Sequence, residues 1–594
     1  MIKEQIQAML FEALTKLGYP TETIQIDQPT QMEFGDYSSN IAMQLAKALK
    51  KNPLEIAKQI AERIGTNENV ESVTVLPPGF INFKLSARVL RNELHTILTK
   101  KEAYGTKNVS NQRHAVVEYS SPNIAKPFTI GHLRSTIIGN AIANLLEATG
   151  WDIKRDNHVG DWGTQFGKQI YAIEHWGNLE ELEKSDRPVK LLVELYVKFH
   201  QEAELHPEIE DEARAYFKKL ENGDAEMRNM WQKCIEWSWK EFDSLYQRLG
   251  VHFTENAGRG YGESFFEDKM AAVIQELESK NLLKESQGAK LVFFENDNPP
   301  PLMILKKDGA TLYATRDLAT DKFRLETYGS DIKIINEVGA EQALYFQQLF
   351  KTEELLGWIK PGQRVHIKHG LYRFKDQKMS TRKGNTIWLE DVLDEAVKRA
   401  YALRQHENEF DGPEVVTHNV KISPAARKHN LGFATPLNNS EKIAIGAIKW
   451  NDLKKTSAQD VVFDWDEILN MQGNSGPYLQ YAYVRCRSII QKMAEVQSGT
   501  ISPEAVFDES EQRLMRTLLH YPEVVTKAAE SYAPHVVCTY LFELAQTFNL
   551  FYQNSPILKA EPQKQSLRLA LTEATSHILK NGLYLLGIET VEKM

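Results

Sequence analysis

Residues 113–163 read RHAVVEYSSPNIAKPFTIGHLRSTIIGNAIANLLEATGWDIKRDNHVGDWG. The first nine, 113–121, form a β-rich run that ends at Pro122. A turn with Gly131 follows, and Leu133–Ala148 has the pattern of a helix. Trp151–His158 reads as a second strand and runs into Gly160-Asp161-Trp162-Gly163. Strand, glycine turn, helix and strand make a βαβ unit, which implies a parallel sheet. Ligands on such sheets bind at the carboxyl ends of the strands.

Outward from this unit the pattern changes twice. Towards the N-terminus, 1–18 is an amphipathic helix with Ile2, Ile6, Met9, Leu10, Leu14 and Leu17 on one face. Residues 39–64 give another helical stretch, and 70–84 give short strands around Pro77-Pro78-Gly79. Towards the C-terminus, 171–285 is helical by pattern and rich in charge, so it reads as an insertion. Strand-like runs resume at 291–295, 332–338 and 364–370. From 440 onwards helical periodicity dominates, ending with Leu567–Leu586. The expectation is a multidomain α/β protein. A small α+β domain spans 1–105. A Rossmann-like catalytic domain spans 106–400, with its helical insertion at 171–285. A connecting segment occupies 401–440, and an all-α bundle 441–594.

Composition sets the class. The chain has 594 residues, 42 % hydrophobic and 25 % charged, which are ordinary globular values. Its net charge is −9, from 71 Lys+Arg against 80 Asp+Glu, which speaks against a uniformly basic nucleic-acid binder but not against a local basic groove. Cys234, Cys486 and Cys538 form no CxxC pair or Cys/His spacing, so neither a disulfide scaffold nor a zinc site is expected. No run of about 18 apolar residues appears, and the N-terminus lacks an apolar signal core. A soluble, cytoplasmic, monomeric protein without a membrane partner is expected.

Two short segments carry chemistry. Thr129-Ile130-Gly131-His132 sits where a helix begins, and helix N-termini suit phosphates. His132 and Lys126 there suit charge developing on a phosphoryl group. The second segment is KMSTRKGN at 378–385. Over 364–385 seven basic residues face one acidic residue, Asp376, so this stretch suits a polyphosphate.

Together, TIGH after a first strand and KMST about 250 residues later resemble the HIGH and KMSK motifs of class I aminoacyl-tRNA synthetases. NHVGDWGTQFGK at 157–168 and LYATRDLA at 312–319 narrow the resemblance to arginyl-tRNA synthetases. FGDYSSN at 34–40 and PPGFINF at 77–83 are similar to the additional N-terminal domain of that family. GNSGPYLQYA at 473–482 and the C-terminal ILKNGLYLLGIETVEKM at 578–594 are similar to its anticodon-binding bundle. The resemblance covers essentially the whole chain.

The resemblance implies two steps: arginine and ATP give arginyl-adenylate and pyrophosphate, and the arginyl group then passes to tRNA(Arg). It gives catalytic roles to His132, Lys126, Lys378 and Ser380. It adds Thr129, Gly131, Met379, Thr381, Arg382 and Lys383 to the ATP contacts. Mg2+ is inferred with ATP, held mainly by phosphates, and no protein metal site is expected. Thr129 replaces the first histidine of HIGH and Thr381 the last lysine of KMSK. Lys126, or else Arg382 and Lys383, takes over that lysine's charge. The family generally needs bound tRNA to activate arginine, which is expected here.

A guanidinium is a planar fork of five donors that keeps its charge, so its pocket needs rigid carboxylates and acceptors. Glu118 ends the first strand beside the phosphate turn. Asp317 lies four residues after Tyr313, on one helix face. The resemblance places Glu118 and Asn123 at the ammonium end of arginine, and Tyr313, Asp317 and Gln342 at its side-chain end. His158, Asp161, Gly163 and Gln165 are expected near ATP or ribose, with Trp162 as packing. Aromatic and basic residues interleave near Tyr478, Tyr481, Tyr483, Arg485 and Arg487, as suits unpaired bases. The resemblance proposes Tyr478, Tyr481, Tyr552 and Met594 for the anticodon, and Phe34, Tyr37, Asn40 and Phe80 for the tRNA elbow. Two alternatives are a synthetase for another amino acid and a non-enzymatic tRNA-binding derivative.

Overall fold

β1 (His114–Glu118) removes Ala115, Val116 and Val117 entirely from solvent, as befits a strand covered on both faces. In this computed structural model the described residues are 2–21, 24–29, 32–106, 113–307, 309–374, 387–407, 437–494 and 506–594. After a loop at 119–129, α1 (Ile130–Ala148) carries the chain across to β2 (Asp152–Asp156), parallel to β1 with Glu118 opposite Asp156. The helical tract follows, with α2 (Pro188–Leu205) and α3 (Ala225–Leu249) within it. Then come α4 (Tyr313–Tyr328), β3 (Lys333–Gly339), α5 (Ala343–Leu356) and β4 (Arg364–His369). β5 (Tyr372–Phe374), α6 (Leu389–Glu407), α7 (Asn439–Leu453) and β6 (Val461–Phe463) complete the set needed below.

The four long strands form one parallel sheet in the order β4-β3-β1-β2. The chain runs from β1 outward to β2, then returns to the other side of β1 as β3. The strand order therefore reverses between β1 and β3, and their carboxyl ends flank the crevice where such sheets bind ligands. α1 lies against the exit of β1 at Gly139, where a Cβ would fall 2.2 Å from Cβ of Tyr119. Only glycine allows that approach.

Several elements differ from the sequence pattern. The stretch 39–64 is two helices, Ile41–Leu49 and Pro53–Ile64, because Lys50 turns left-handed (φ 53°) and Asn52 caps the second helix ahead of Pro53. The run at 291–295 is strand only over Ala289–Val292, and it lies in a separate antiparallel sheet with Leu283–Ser286 and Leu302–Leu305. The helical tract after 440 is interrupted by β6, which pairs parallel with β5.

The chain forms two compact units. One comprises 1–105, 482–523 and 540–581, the other 106–481, 524–539 and 582–594. The first holds the antiparallel sheet of Tyr37–Ser39, Phe80–Leu85 and Val70–Leu76. Within it the buried Asp36 carboxylate accepts the Leu85 N–H (2.7 Å) and pairs with Arg516. The second holds the parallel sheet. Among the described residues no helix is long and apolar enough to cross a membrane.

Candidate active site

The loop after β1 is strained and heavily pinned. Ser120, Ser121 and Ala125 adopt φ of 74°, 46° and 56°, left-handed values that cost non-glycine residues on the order of 1 kcal/mol each. Ser120 N–H donates to Ser135 Oγ (3.0 Å), Ser121 N–H to Asn157 Oδ1 (3.0 Å) and Ala125 N–H to Ser238 Oγ (2.9 Å). Ile124 N–H donates to the Gly160 carbonyl (3.1 Å), and Gly160 N–H to that of Pro122 (3.0 Å). A Cβ on Gly160 would lie 2.4 Å from Asn123 Oδ1, so glycine there lets the Asn123 side chain lie across β2's exit.

The loop delivers the N-terminus of α1. Thr129 N–H donates to His132 Nδ1 at 3.0 Å, and Thr129 Oγ1 lies 3.2 Å from the same nitrogen. Because Nδ1 accepts, a neutral His132 carries its proton on Nε2. Burial holds its pKa below the ordinary histidine value, so the ring is a neutral donor. A Cβ on Gly131 would meet only Thr129 Oγ1, at 3.3 Å, and the residue is exposed. The first turn of α1 is thus open to an anion. Lys126 is half-buried and has no ion-pair partner among the described residues; its charge is felt at Glu263. Lys378, Met379, Ser380, Thr381, Arg382 and Lys383 lie outside the described residues.

The crevice beside this turn is acidic. Arg324 Nη2 bridges Glu118 (2.6 Å) and Asp156 (2.7 Å), and its Nη1 reaches Asp321 (3.1 Å). Arg364 binds Asp321, Glu353 (2.9 Å) and Asn336 (2.9 Å). Burial pushes the Glu353 carboxyl well above its usual range despite Arg364, while Arg364 and Arg324 hold Asp321 below its range against burial. Four carboxylates, Glu118, Asp156, Asp321 and Glu353, thus face two guanidiniums.

Asp317 is a fifth carboxylate, and it faces His158. Its Oδ1 lies 3.8 Å from His158 Nε2, and it accepts from the Tyr345 hydroxyl. Burial pushes its pKa up to about 6, opposed by His158 and Tyr345. Burial works against a charged His158, but Glu118 and Asp317 raise its pKa above the ordinary value. His158 Nδ1 is 3.0 Å from the Tyr261 carbonyl, and its buried Nε2 has no hydrogen-bond partner. Glu118 itself is held below the usual carboxylate range by Arg324 and His158, against burial.

The expected arginine residues therefore divide. Glu118 and Asp317 converge with His158 in one cluster, which puts His158 beside the carboxylates. Tyr313 is exposed and meets Tyr345 edge-on, ring centroids 4.8 Å apart. Asn123 faces Gly160, two residues from His158. Gln342 is exposed at the start of α5, just beyond β3. The two cations nearest Asp317 in sequence are engaged elsewhere: Arg316 with Glu263 (3.1 Å) and Lys322 with Glu276 (2.7 Å). Asp161 accepts from both N–H and Oγ–H of Ser264 (2.7 Å each), and Gln165 Nε2 donates to the Trp162 carbonyl (3.2 Å). Gly163 makes a left-handed turn with φ 137°. Trp162 is buried against Trp231 (5.5 Å) and Phe217 (5.7 Å).

Sequence reasoning missed Glu263, Tyr345, and a buried ion pair at the end of β4, His369 Nδ1 to Glu337 Oε1 at 2.9 Å. Ser135 of α1 donates to the Glu337 carbonyl (2.9 Å), so this pair lies against the helix that carries His132. No local motif marks these residues. Among the described residues no three His, Cys, Asp or Glu side chains converge as metal ligands.

In the parallel-sheet unit, Tyr478 is half-buried, Tyr481 exposed and Met594 half-buried at the chain end, while Tyr483, in the other unit, is buried. In the other unit Tyr552 is exposed, with Arg485 5.6 Å from its ring centroid and donating to Asn549 Oδ1 (2.6 Å). There Phe34 and Asn40 are half-buried and Phe80 is exposed. Tyr37 is buried, its hydroxyl donating to Glu523 at 2.6 Å, so it is a core residue.

Residues 93–465 match the family described as tRNA synthetases class I (R), catalytic domain. Residues 479–594 match the DALR anticodon binding domain, and 1–85 the arginyl tRNA synthetase N terminal domain. An arginine–tRNA ligase of Clostridium perfringens is 42 % identical over 96 % of each chain, and that of Clostridioides difficile 38 % over 100 % and 98 %. The crystal structure of arginyl-tRNA synthetase from Plasmodium falciparum is similar at TM-score 0.80 and 26 % identity, over 100 % of this chain and 99 % of that one. The Thermus thermophilus arginyl-tRNA synthetase shares the fold at TM-score 0.80 and 23 % identity, with 100 % of both chains covered.

Proposed function

The chain belongs to the class I arginyl-tRNA synthetases, and on that premise we propose that it activates L-arginine with ATP and transfers the arginyl group to tRNA(Arg). The observation that carries this reading is the pairing of two unlike half-sites across the β1–β3 crevice. One is an acidic cluster around Glu118 and Asp317, in which five carboxylates face Arg324, Arg364 and His158. The other is an open helix N-terminus with a neutral histidine donor, His132. The first suits a guanidinium or ammonium group, the second a phosphate.

In the first step a carboxylate oxygen of arginine attacks the α-phosphorus of ATP, and pyrophosphate leaves. Asp317, backed by the Tyr345 hydroxyl, faces the guanidinium with Tyr313 and Gln342, while Glu118 and Asn123 orient the ammonium end. His132 donates from Nε2 to an α-phosphate oxygen, and Lys126 supplies the positive charge that Thr381 lacks at the end of the KMST segment. Lys378, Ser380 and their neighbours Met379, Thr381, Arg382 and Lys383 take the pyrophosphate. Mg2+ would be bound through ATP and would neutralise charge on its phosphates. The protein's part is positioning and charge stabilisation, with no covalent protein intermediate. In the second step a terminal ribose hydroxyl of tRNA attacks the acyl carbon and AMP leaves. Tyr478, Tyr481, Tyr552 and Met594 contact the anticodon loop, Phe34 and Asn40 the elbow. Bound tRNA is required for the first step, and the monomer is the working form.

The test is charging of tRNA(Arg) transcript with labelled amino acids. Arginine alone should be attached. Lysine cannot reproduce the fork, and a site with buried hydrogen-bond partners rejects such analogues by roughly 10⁴–10⁵. Equal charging with lysine would overturn the reading.

A further inference from the structure

The turn that presents His132 is held from outside the βαβ unit. Thr129 forms an antiparallel bridge with Trp388. Ile130 N–H donates to the Ile387 carbonyl (3.2 Å), and Leu389 N–H to that of Phe128 (3.0 Å). Residues 387–389 thus ride on 128–130 like a short strand, and α6 starts from them.

What grips this rider is the helical insertion. Arg187, the residue before α2, places its Nε 2.7 Å from Glu390 Oε2 and donates from Nη1 to Asp391 Oδ1 at 3.0 Å. Its guanidinium lies 5.5 Å from the Trp388 ring centroid. The root of this arm is fixed in turn: Val189 N–H donates to Glu241 Oε1 of α3 at 2.7 Å. One turn further along α6, Arg248 binds Asp394 (2.8 Å) and Glu441 of α7 (2.9 Å). A guanidinium held over an aromatic ring, hydrogen-bonded to one carboxylate and ion-paired with a second, fixes direction as well as distance, which a lysine does less well.

We propose that Arg187 is a positioning residue for the activation step: by clamping Trp388, Glu390 and Asp391 it fixes the N-cap of the helix that presents His132. This rests on the synthetase reading, because only there does the placement of His132 set a rate. Arg187 touches none of the residues assigned to arginine, so its effect should fall on ATP and turnover alone.

The experiment compares wild type with Arg187→Ala, Arg187→Gln and Arg187→Lys by two readouts. In arginine-dependent ATP–pyrophosphate exchange with tRNA present, the Ala and Gln variants should lose about tenfold in kcat or gain about tenfold in KM for ATP. KM for arginine should stay within twofold, and the Lys variant should recover part of the loss. By amide hydrogen exchange, Ile130 and Leu389 should lose at least tenfold in protection in the Ala and Gln variants. The second readout needs no activity, so it still decides the clamp if wild type shows no exchange and the synthetase reading itself fails. Unchanged protection at both amides would overturn the proposal, as would unchanged ATP kinetics in an active wild-type background.

Discussion

Replacing Asp317 by Asn separates a substrate-binding carboxylate from a merely structural one. Asp317 is half-buried, and its pKa is pushed up to about 6 because removal from water opposes the ionised form. If its carboxylate binds the guanidinium, arginine selects the ionised form. At pH 7 about nine-tenths of the enzyme carries it, and at pH 5 about one-tenth, from a single titration. kcat/KM for arginine should therefore fall about tenfold between pH 7 and pH 5, and that profile reports the free enzyme. His158 and Asp317 interact, so the observed midpoints belong to the pair. Asp317→Asn should raise KM for arginine by roughly 10- to 200-fold at pH 7.5, since a hydrogen bond to a charged group is worth about 1.5–3 kcal/mol.

Stability should move the opposite way. Because its folded pKa is raised from 3.8 to about 6, the folded chain holds more protons than the unfolded one between those values. Stability therefore falls as pH rises through that window, and the full cost, about 3 kcal/mol or less, is present above pH 6. Asp317→Asn should unfold at higher denaturant concentration than wild type at pH 7.5, with the gain fading near pH 4. An unchanged KM and an unchanged acid limb would refute this account of Asp317.

Three other predictions follow from buried contacts. Arg324→Met leaves Glu118, Asp156 and Asp321 without their shared cation, and urea unfolding should show a loss of roughly 3–5 kcal/mol; a loss below 1 kcal/mol would show that the cluster is not held by charge. Gly160→Ala drives a methyl to within 2.4 Å of Asn123 Oδ1, so KM for arginine should rise by about tenfold in a folded protein; unchanged kinetics would remove Asn123 from the site. Lys449 is fully buried, donates to the carbonyls of Leu249 and Gly587, and has its pKa pulled down to about 7 by burial. Between pH 7 and about 10 the unfolded chain holds a proton that the folded chain lacks, so this lysine makes stability rise with pH, by at most about 1.4 kcal/mol per unit. Lys449→Met should flatten that slope between pH 7 and 9, as read by thermal melts, and an unaltered slope would place the titration elsewhere.

The parts of the fold legible in sequence are those with local causes. Ala115–Val117 and the Gly131 turn announce β1 and α1 because burial on both faces and a helix start each leave a short-range pattern. The two helices in 39–64 were legible as helix but not as two, although Asn52-Pro53 carries the capping signal. β6 escaped because three residues, Val461–Phe463, are too few for a period to show against helices on either side. In the site, Glu118 and Asp317 stood out through motifs. Arg324, Glu353 and Glu337 did not, because what matters in them is pairing across 206, 11 and 32 residues of chain. Tyr37 shows the converse. It lies within a family motif, yet its hydroxyl is tied to Glu523 in the core.

The central claim is that this crevice joins arginine to AMP. Pyrophosphate exchange into ATP tests it most directly, with arginine present or absent and with tRNA(Arg) present or absent. The account predicts exchange only when arginine and tRNA are both supplied, and its loss by a factor of roughly 10²–10³ in His132→Ala with tRNA affinity nearly intact. Tight tRNA binding without exchange under any condition would contradict it, and would make the chain a binding protein built on a synthetase fold.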